Sequence, residues 1–284
     1  MASSRRFLRW QDASATTSFQ NLESTMSKPK VLILRAPGTN CDQETGYAFE
    51  KAGAEATYVH INQLMEDASI LEQSQILCLP GGFSYGDDIG AGRVLASQMQ
   101  SKLAEAISQF HDAGKLVLGI CNGFQILIKT GFLLPGDDTG LPATLTWNNH
   151  GRFIDTWVNL KADSDKCVFL KGVEQMYLPI AHAEGKFVAR DQSIIDGLKT
   201  NHQMALTYCR PDGSNGADLT FPDNPNGSTA NIAGVCSDSG RIFGLMPHPE
   251  RFIDPTHHPR WTREPQGDEG QGMVVFRNAV EFFA

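Results

Sequence analysis

The sequence predicts a doubly wound α/β protein, with a mainly parallel sheet and a small antiparallel extension. Three observations predict it. Short, almost wholly apolar runs alternate with amphipathic stretches as far as Gly131, the pattern of parallel strands covered on both faces by helices. Beyond Gly131 the apolar runs are joined mainly by turn residues, as antiparallel strands are. Glycine-rich segments fall directly after strands, on the edge where an open α/β sheet binds its ligands.

Taken in order, "VLILR" (31–35) is a run of apolar residues closed by Arg35 and reads as a buried strand, with "APGTNCD" as the loop behind it. A helix follows through "QETGYAFEKAG". "EATYVHI" (55–61) carries the β-branched and aromatic residues of a second strand, and "NQLMEDASILEQ" is helical. "ILCLP" (76–80) is the third strand and runs into the glycine-rich "GGFSYGDD". Between 94 and 113, Met99, Leu103, Ile107 and Phe110 recur at helical spacing among polar positions, which predicts one helix. "KLVLGI" (115–120) is the fourth strand. "TLTWN", "GRFIDTWVNL", "MYLPIAH", "GKFVA", "QMALTYC" and "ANIAGVCSDSGRIFGLM" read as further strands, the last turning at Asp238-Ser239-Gly240. "PDGSNGADLTFPDNPNG" (211–227) is a long loop, and "GMVVFRNAVEFF" closes the chain as an amphipathic helix. One domain over residues 28–284 fits this order better than two.

At 284 residues the chain can bury a substantial core. Its 24 basic against 32 acidic residues, a net charge of −8, exclude nucleic acid as the main partner, because phosphate neutralisation needs surplus Lys and Arg. No apolar run approaches the ~20 residues that span a bilayer. Six cysteines (Cys41, Cys78, Cys121, Cys167, Cys209 and Cys236) are widely separated, unlike a disulfide framework or a set of close metal ligands. They indicate a cytoplasmic protein with buried free thiols and no metal site. Residues 1–27 are rich in Ser and Thr, carry Arg5, Arg6 and Arg9, and show no sustained period. They are read as a disordered lead or an over-long start before Met26; Asp12 and Glu23 count against a transit peptide.

One cysteine stands apart. Cys121 lies at the carboxyl end of the fourth strand in Gly119-Ile120-Cys121-Asn122-Gly123, the G-x-nucleophile-x-G spacing of a sharp strand-to-helix turn. A helix starting at Asn122 would aim free N–H groups and a positive dipole end at the sulfur, favouring thiolate. A buried structural cysteine between turn glycines is the plainer reading, and it holds for the other five. A nucleophile needs a base and the base an orienter. Two H-x-E segments offer both: His182-Ala183-Glu184 and His248-Pro249-Glu250. Pro249 pushes His248 into extended backbone, which would place Glu250 on the same side as the ring. Gly81 and Gly82, after the third strand, supply backbone N–H groups for an oxyanion, with the N–H of Asn122 as a second donor.

In this order "APGTNCD", "GGFSYGDD", "CNGFQIL", "HAEGKF", "NPNGS", "IAGVC" and "GLMPHPERF" resemble the class I glutamine amidotransferases. Within that family they are similar to the glutaminase subunits and domains of phosphoribosylformylglycinamidine synthases, over roughly Val31 to Ala284. The resemblance implies a flavodoxin-like fold and a Cys-His-Glu triad of Cys121, His248 and Glu250. It also implies that Gly82 and Asn122 hold the oxyanion and that Gln125 positions glutamine. His182 and Glu184 would be interface or gating residues. No cofactor is implied for this chain; ATP and Mg²⁺ would serve a synthetase partner on another chain, with a small third subunit in some forms. Two rival readings are a Cys-dependent hydrolase or stress protein of similar fold, and a non-catalytic regulatory module.

Overall fold

The computed structural model describes residues 27–162, 165–217, 219–265 and 267–284, so the lead expected over 1–27 lies, but for Ser27, outside the described residues. Its first part runs β1 (Lys30–Arg35), α1 (Asp42–Lys51), β2 (Glu55–His60), α2 (Ile61–Glu66), β3 (Ile76–Leu79), α3 (Arg93–Lys102), α4 (Ala104–Asp112), β4 (Leu116–Ile120) and α5 (Asn122–Thr130). The second part is richer in strands: β5 (Ala143–Thr146), β6 (Ile154–Ala162), β7 (Gln175–His182), β8 (Lys186–Ala189), α6 (Gln192–Thr200), β9 (Leu206–Cys209), β10 (Ile232–Cys236), β11 (Ile242–Leu245) and α7 (Met273–Glu281).

The apolar strands are the central ones. Every residue of β3, β4, β10 and β11 is buried, because each of these strands has neighbours on both sides and layers on both faces. The main sheet has the order β2-β1-β3-β4-β11-β10-β9-β6-β7. Its first five strands are parallel, and the order reverses between β1 and β3, which opens a crevice at their carboxyl ends. The antiparallel extension continues this same sheet through β10, β9, β6 and β7, while β5 and β8 form a separate antiparallel pair. Helix α5 is buried at eight of its nine positions, which explains its apolar sequence, and Gly244 of β11 makes room for the Phe124 ring.

Three segments differ from the sequence-based expectation. The helix expected over 94–113 divides at Leu103 (φ −125°, ψ 1°) into α3 and α4, yet Met99, Leu103, Ile107 and Phe110 all remain buried. The period reports burial, and burial survives a local break in helical dihedrals. "NQLMEDASILEQ" breaks at Asp67, whose carboxylate accepts from the Ser69 N–H and starts a 3-10 turn over Ala68–Gln73. Helix α6 was not anticipated. Its signal was present, since Asp191 caps the N–H groups of Ser193 and Ile194 and Ile195 and Leu198 face the core. Among the described residues no helix is long and apolar enough to cross a membrane, and all six cysteines are buried and outside any disulfide.

Candidate functional site

The carboxyl ends of β1, β3, β4 and β11 converge on one crevice. Cys121 joins β4 to α5 with φ 50° and ψ −103°, a conformation that side chains other than glycine avoid and that costs about 1–3 kcal/mol. The flanking glycines permit the turn. A Cβ on Gly119 would lie 2.7 Å from the Gly123 carbonyl oxygen, and one on Gly123 would overlap the Leu79 carbonyl. The strained turn lifts Sγ off the sheet edge and leaves it 3.7 Å from the Ala181 carbonyl oxygen.

His248 follows β11 and is held there by its own N–H, which donates to the Pro179 carbonyl at 2.8 Å. Edge strand β7 therefore returns over the ends of β4 and β11. His248 Nδ1 and Glu250 Oε1 lie 2.6 Å apart, both side chains fully withdrawn from solvent. His248, expected in an extended segment, lies at φ −105° and ψ 88°, but Pro249–Arg251 is a 3-10 turn, and the turn closes the pair. Burial disfavours a charged His248; Glu250, and then the thiols of Cys121 and Cys41, more than offset it and hold the imidazole well above its ordinary value. Nδ1 faces the carboxylate, so Nε2 is turned toward the thiol side. Nε2 makes no hydrogen bond of standard geometry, although Cys121 interacts with the ring. Such a contact tightens when substrate arrives.

Gly81 and Gly82 line the same crevice. A Cβ on Gly81 would lie 2.8 Å from His248 Cε1, and Gly82, at φ 145°, bridges to Thr39 where a Cβ would meet the Gly38 carbonyl at 2.8 Å. Asn122, at the start of α5, carries one of the free N–H groups of a helix terminus. Its side chain is committed elsewhere: Oδ1 accepts from the Ser84 N–H at 3.1 Å and Nδ2 donates to Gln125 Oε1 at 2.9 Å. Gln125 Nε2 then donates to the Glu184 carbonyl at 2.7 Å, so the Gln125 amide links the glycine-rich loop to the second H-x-E segment.

That segment is built differently. His182 is buried at the end of β7, with Nδ1 3.1 Å from Asn148 Oδ1, and burial pushes it down to about 3, so its ring is neutral. The Glu184 carboxylate turns away and accepts from the Ala91 N–H at 3.2 Å. There it faces Asp87, which burial raises to about 6.

Two further residues belong to the crevice: Arg251, and Cys41, which the sequence reads as a buried structural thiol. Cys41 Sγ lies 3.2 Å from Arg251 Nη2, and Sγ, His248 and Glu250 offer atoms within 4.8 Å of one another. Cys41 follows β1, whose carboxyl end lies beside that of β3, a neighbourhood that only the strand order reveals. These three donors suit a metal by type. But Nδ1 and Oε1 are bonded to each other, and a cation would have to displace the Arg251 guanidinium from the sulfur. With Cys121 on the other side of the ring, the crevice has the parts that a nucleophile, its base and an orienting carboxylate require.

The matching family model, a CobB/CobQ-like glutamine amidotransferase domain, covers residues 28–283. The chain belongs to the glutamine amidotransferase family. Within that family it belongs with the PurQ subunits. It is 50% identical over 259 residues to phosphoribosylformylglycinamidine synthase subunit PurQ of Dehalococcoides mccartyi, covering 90% of this chain and 98% of that one. It is 41% identical over 267 residues to the protein of the same name from Methanococcus maripaludis, with 90% and 97% covered. A chain in the structure of PurLQS from Thermotoga maritima superposes with a TM-score of 0.68 at 32% identity, over 91% of this chain and all of that one. Another glutamine amidotransferase from Thermotoga maritima, at a TM-score of 0.54 and 16% identity over 90% of this chain and 98% of that one, shares the fold.

Proposed function

We propose that the domain over residues 28–284 hydrolyses glutamine to glutamate and ammonia, as the glutaminase subunit of a phosphoribosylformylglycinamidine synthase. The observation that carries the reading is the elbow thiol of Cys121 acting on an imidazole whose far nitrogen is paired to Glu250 at 2.6 Å. Cys121 gives its proton to His248 and Sγ attacks the carboxamide carbon. The N–H groups of Gly82 and Asn122 receive the oxyanion, and Gly81 leaves the room that His248 needs. His248 returns the proton to the departing ammonia, leaving a γ-glutamyl thioester. A water deprotonated by His248 then releases glutamate and restores the thiol. Glu250 stabilises the imidazolium at both stages. Gln125 acts by fixing Asn122 and the Glu184 carbonyl around the substrate, and His182 and Glu184 shape the mouth toward the partner.

The ammonia passes to a synthetase chain, which uses ATP and Mg²⁺; this chain needs no cofactor of its own. The relative solved within PurLQS supports assembly with a synthetase chain, and buried thiols outside any disulfide agree with a cytoplasmic location. Replacing Cys121 with Ala tests the reading. In the complex, glutamine-dependent synthesis falls by at least about 10³-fold while synthesis from added ammonia persists. Loss of both would make Cys121 a structural residue.

A further inference from the structure

We propose that Cys41 is a positioning residue of this site, its sulfur clamping the His248–Glu250 pair against the Gly81–Gly82 turn. The proposal rests on the reading of Cys121, His248 and Glu250 given above. Four contacts define the clamp. The Cys41 N–H donates to the Gly81 carbonyl at 3.2 Å, so the residue holds the glycine turn by its backbone. A Cβ on Gly81 would meet Cys41 Sγ at 3.0 Å and His248 Cε1 at 2.8 Å, so sulfur, glycine and ring are mutually packed with no spare room. The thiol donates to Asn40 Oδ1 at 3.2 Å, which turns its proton away from the ring. The sulfur lone pairs are then free for Arg251 Nη2, at 3.2 Å, while Arg251 Nε donates to Glu44 Oε1 at 3.1 Å and anchors the guanidinium on α1.

Burial raises the Cys41 pKa, so the group stays an uncharged thiol and adds no second anion beside Glu250. Its contribution is geometric and dipolar. The other groups acting on His248 are Glu250 from its own turn, Cys121 from the start of α5, and His182 from β7. Cys41 is the one that also bears on the oxyanion turn, so it couples the base to the site where negative charge develops. A serine oxygen is smaller and sits on a shorter bond, so it cannot fill this gap; alanine leaves it open.

The test compares Cys41→Ser and Cys41→Ala with the parent, each in complex with the synthetase. Glutamine turnover is followed from neutral to alkaline pH, and each protein is treated with the chloroketone analogue of glutamine, the adduct being located by mass spectrometry. We expect kcat to fall about tenfold to a hundredfold, as for a misplaced catalytic group, with KM within about twofold. The alkaline limb of the profile moves to lower pH, Cys121 still takes the adduct, and synthesis from ammonia is unchanged. Folded variants whose kcat and alkaline limb match the parent would overturn the proposal. So would equal loss of ammonia-dependent synthesis, which marks a structural residue. If Cys41→Ala does not fold, Cys41→Ser carries the comparison. A parent that takes no adduct at Cys121 would sink the reading of the site itself, whatever Cys41 does.

Discussion

The chain carries the pattern H-x-E twice, and the fold gives the two copies opposite chemistry. In His248-Pro249-Glu250 a 3-10 turn brings carboxylate and ring within 2.6 Å, and the imidazole is held above its ordinary value. In His182-Ala183-Glu184 the histidine ends a strand, its partner is the neutral Asn148 amide, and the ring is pushed down to about 3. Glu184 meanwhile bonds a backbone N–H on another loop. Both rings are about equally buried, so burial cannot explain the difference. What separates them first is the charge of the group on Nδ1, with the sulfurs of Cys121 and Cys41 adding to it at His248: a carboxylate makes a histidine that can carry a proton through a reaction, and an amide makes one that cannot.

The largest test of this comparison removes that charge without removing the hydrogen bond. Glu250→Gln should lower kcat for glutamine hydrolysis by on the order of 10²- to 10⁴-fold, because the imidazolium formed during thioester chemistry loses its counter-ion. Glu250 is the largest influence raising His248, so the His248 pKa falls in the variant and the alkaline limb of kcat/KM moves to lower pH. A pH–rate profile that kept its alkaline limb would mean that the carboxylate only orients the ring.

The matching change on the other copy should spare the chemistry and cost stability. His182→Ala removes one of two donors to Asn148 Oδ1, the Gly185 N–H staying in place, and leaves a cavity where a buried ring stood; together these cost about 1–3 kcal/mol in urea unfolding, while kcat stays within about tenfold. It also alters the pH dependence of stability. Folded His182 stays neutral down to about 3, whereas in the unfolded chain it takes up a proton below about 6.5. The unfolded state therefore binds more protons over that window, and the parent loses stability as pH falls through it. The variant loses less over the same window. A fall in kcat as deep as that of Glu250→Gln would erase the distinction between the two copies.

How much of this was legible in the sequence follows from the reach of each interaction. The elbow at Cys121 is local: strand, glycines and helix start within a few residues, and the dihedrals agree with it. His248 and Glu250 were legible because only Pro249 separates them, although the segment joining them is a 3-10 turn and not the extended backbone expected. Asp191 and the apolar residues behind it marked α6 equally well, and were overlooked. Cys41 could not be read this way. Its contacts with His248 and Gly81 depend on β1 lying beside β3 and on the loop after β11 reaching the same edge, and strand order is not written in any single segment. The direction of Glu184 was hidden for the same reason, since Ala91 lies 93 positions away.

The smallest effect sharpens what Glu184 is for. Its carboxylate is spent on the Ala91 N–H, and the loop carrying that N–H also carries Asp87 at φ 58°. Burial, and after it the charge of Glu184, raise Asp87 to about 6, against an N–H from Gly92 that lowers it. A carboxylic acid raised in the folded state binds a proton that the unfolded chain has already lost. Stability therefore declines as pH rises from about 4 to about 6, and the penalty persists above. Asp87→Asn keeps an acceptor for Gly92 and removes the charge. Because Asp87 is only half-buried, solvent screening should hold the gain to less than about 1 kcal/mol at neutral pH, fading to nothing toward pH 4. Glu184→Gln should recover part of the same gain by removing the repulsion, but lose it again if the Ala91 bond weakens. Unfolding curves at two pH values would separate these. A gain in Asp87→Asn that did not fade with acid would show that Glu184 and Asp87 do not share one electrostatic site, and that the second H-x-E segment braces this loop by geometry only.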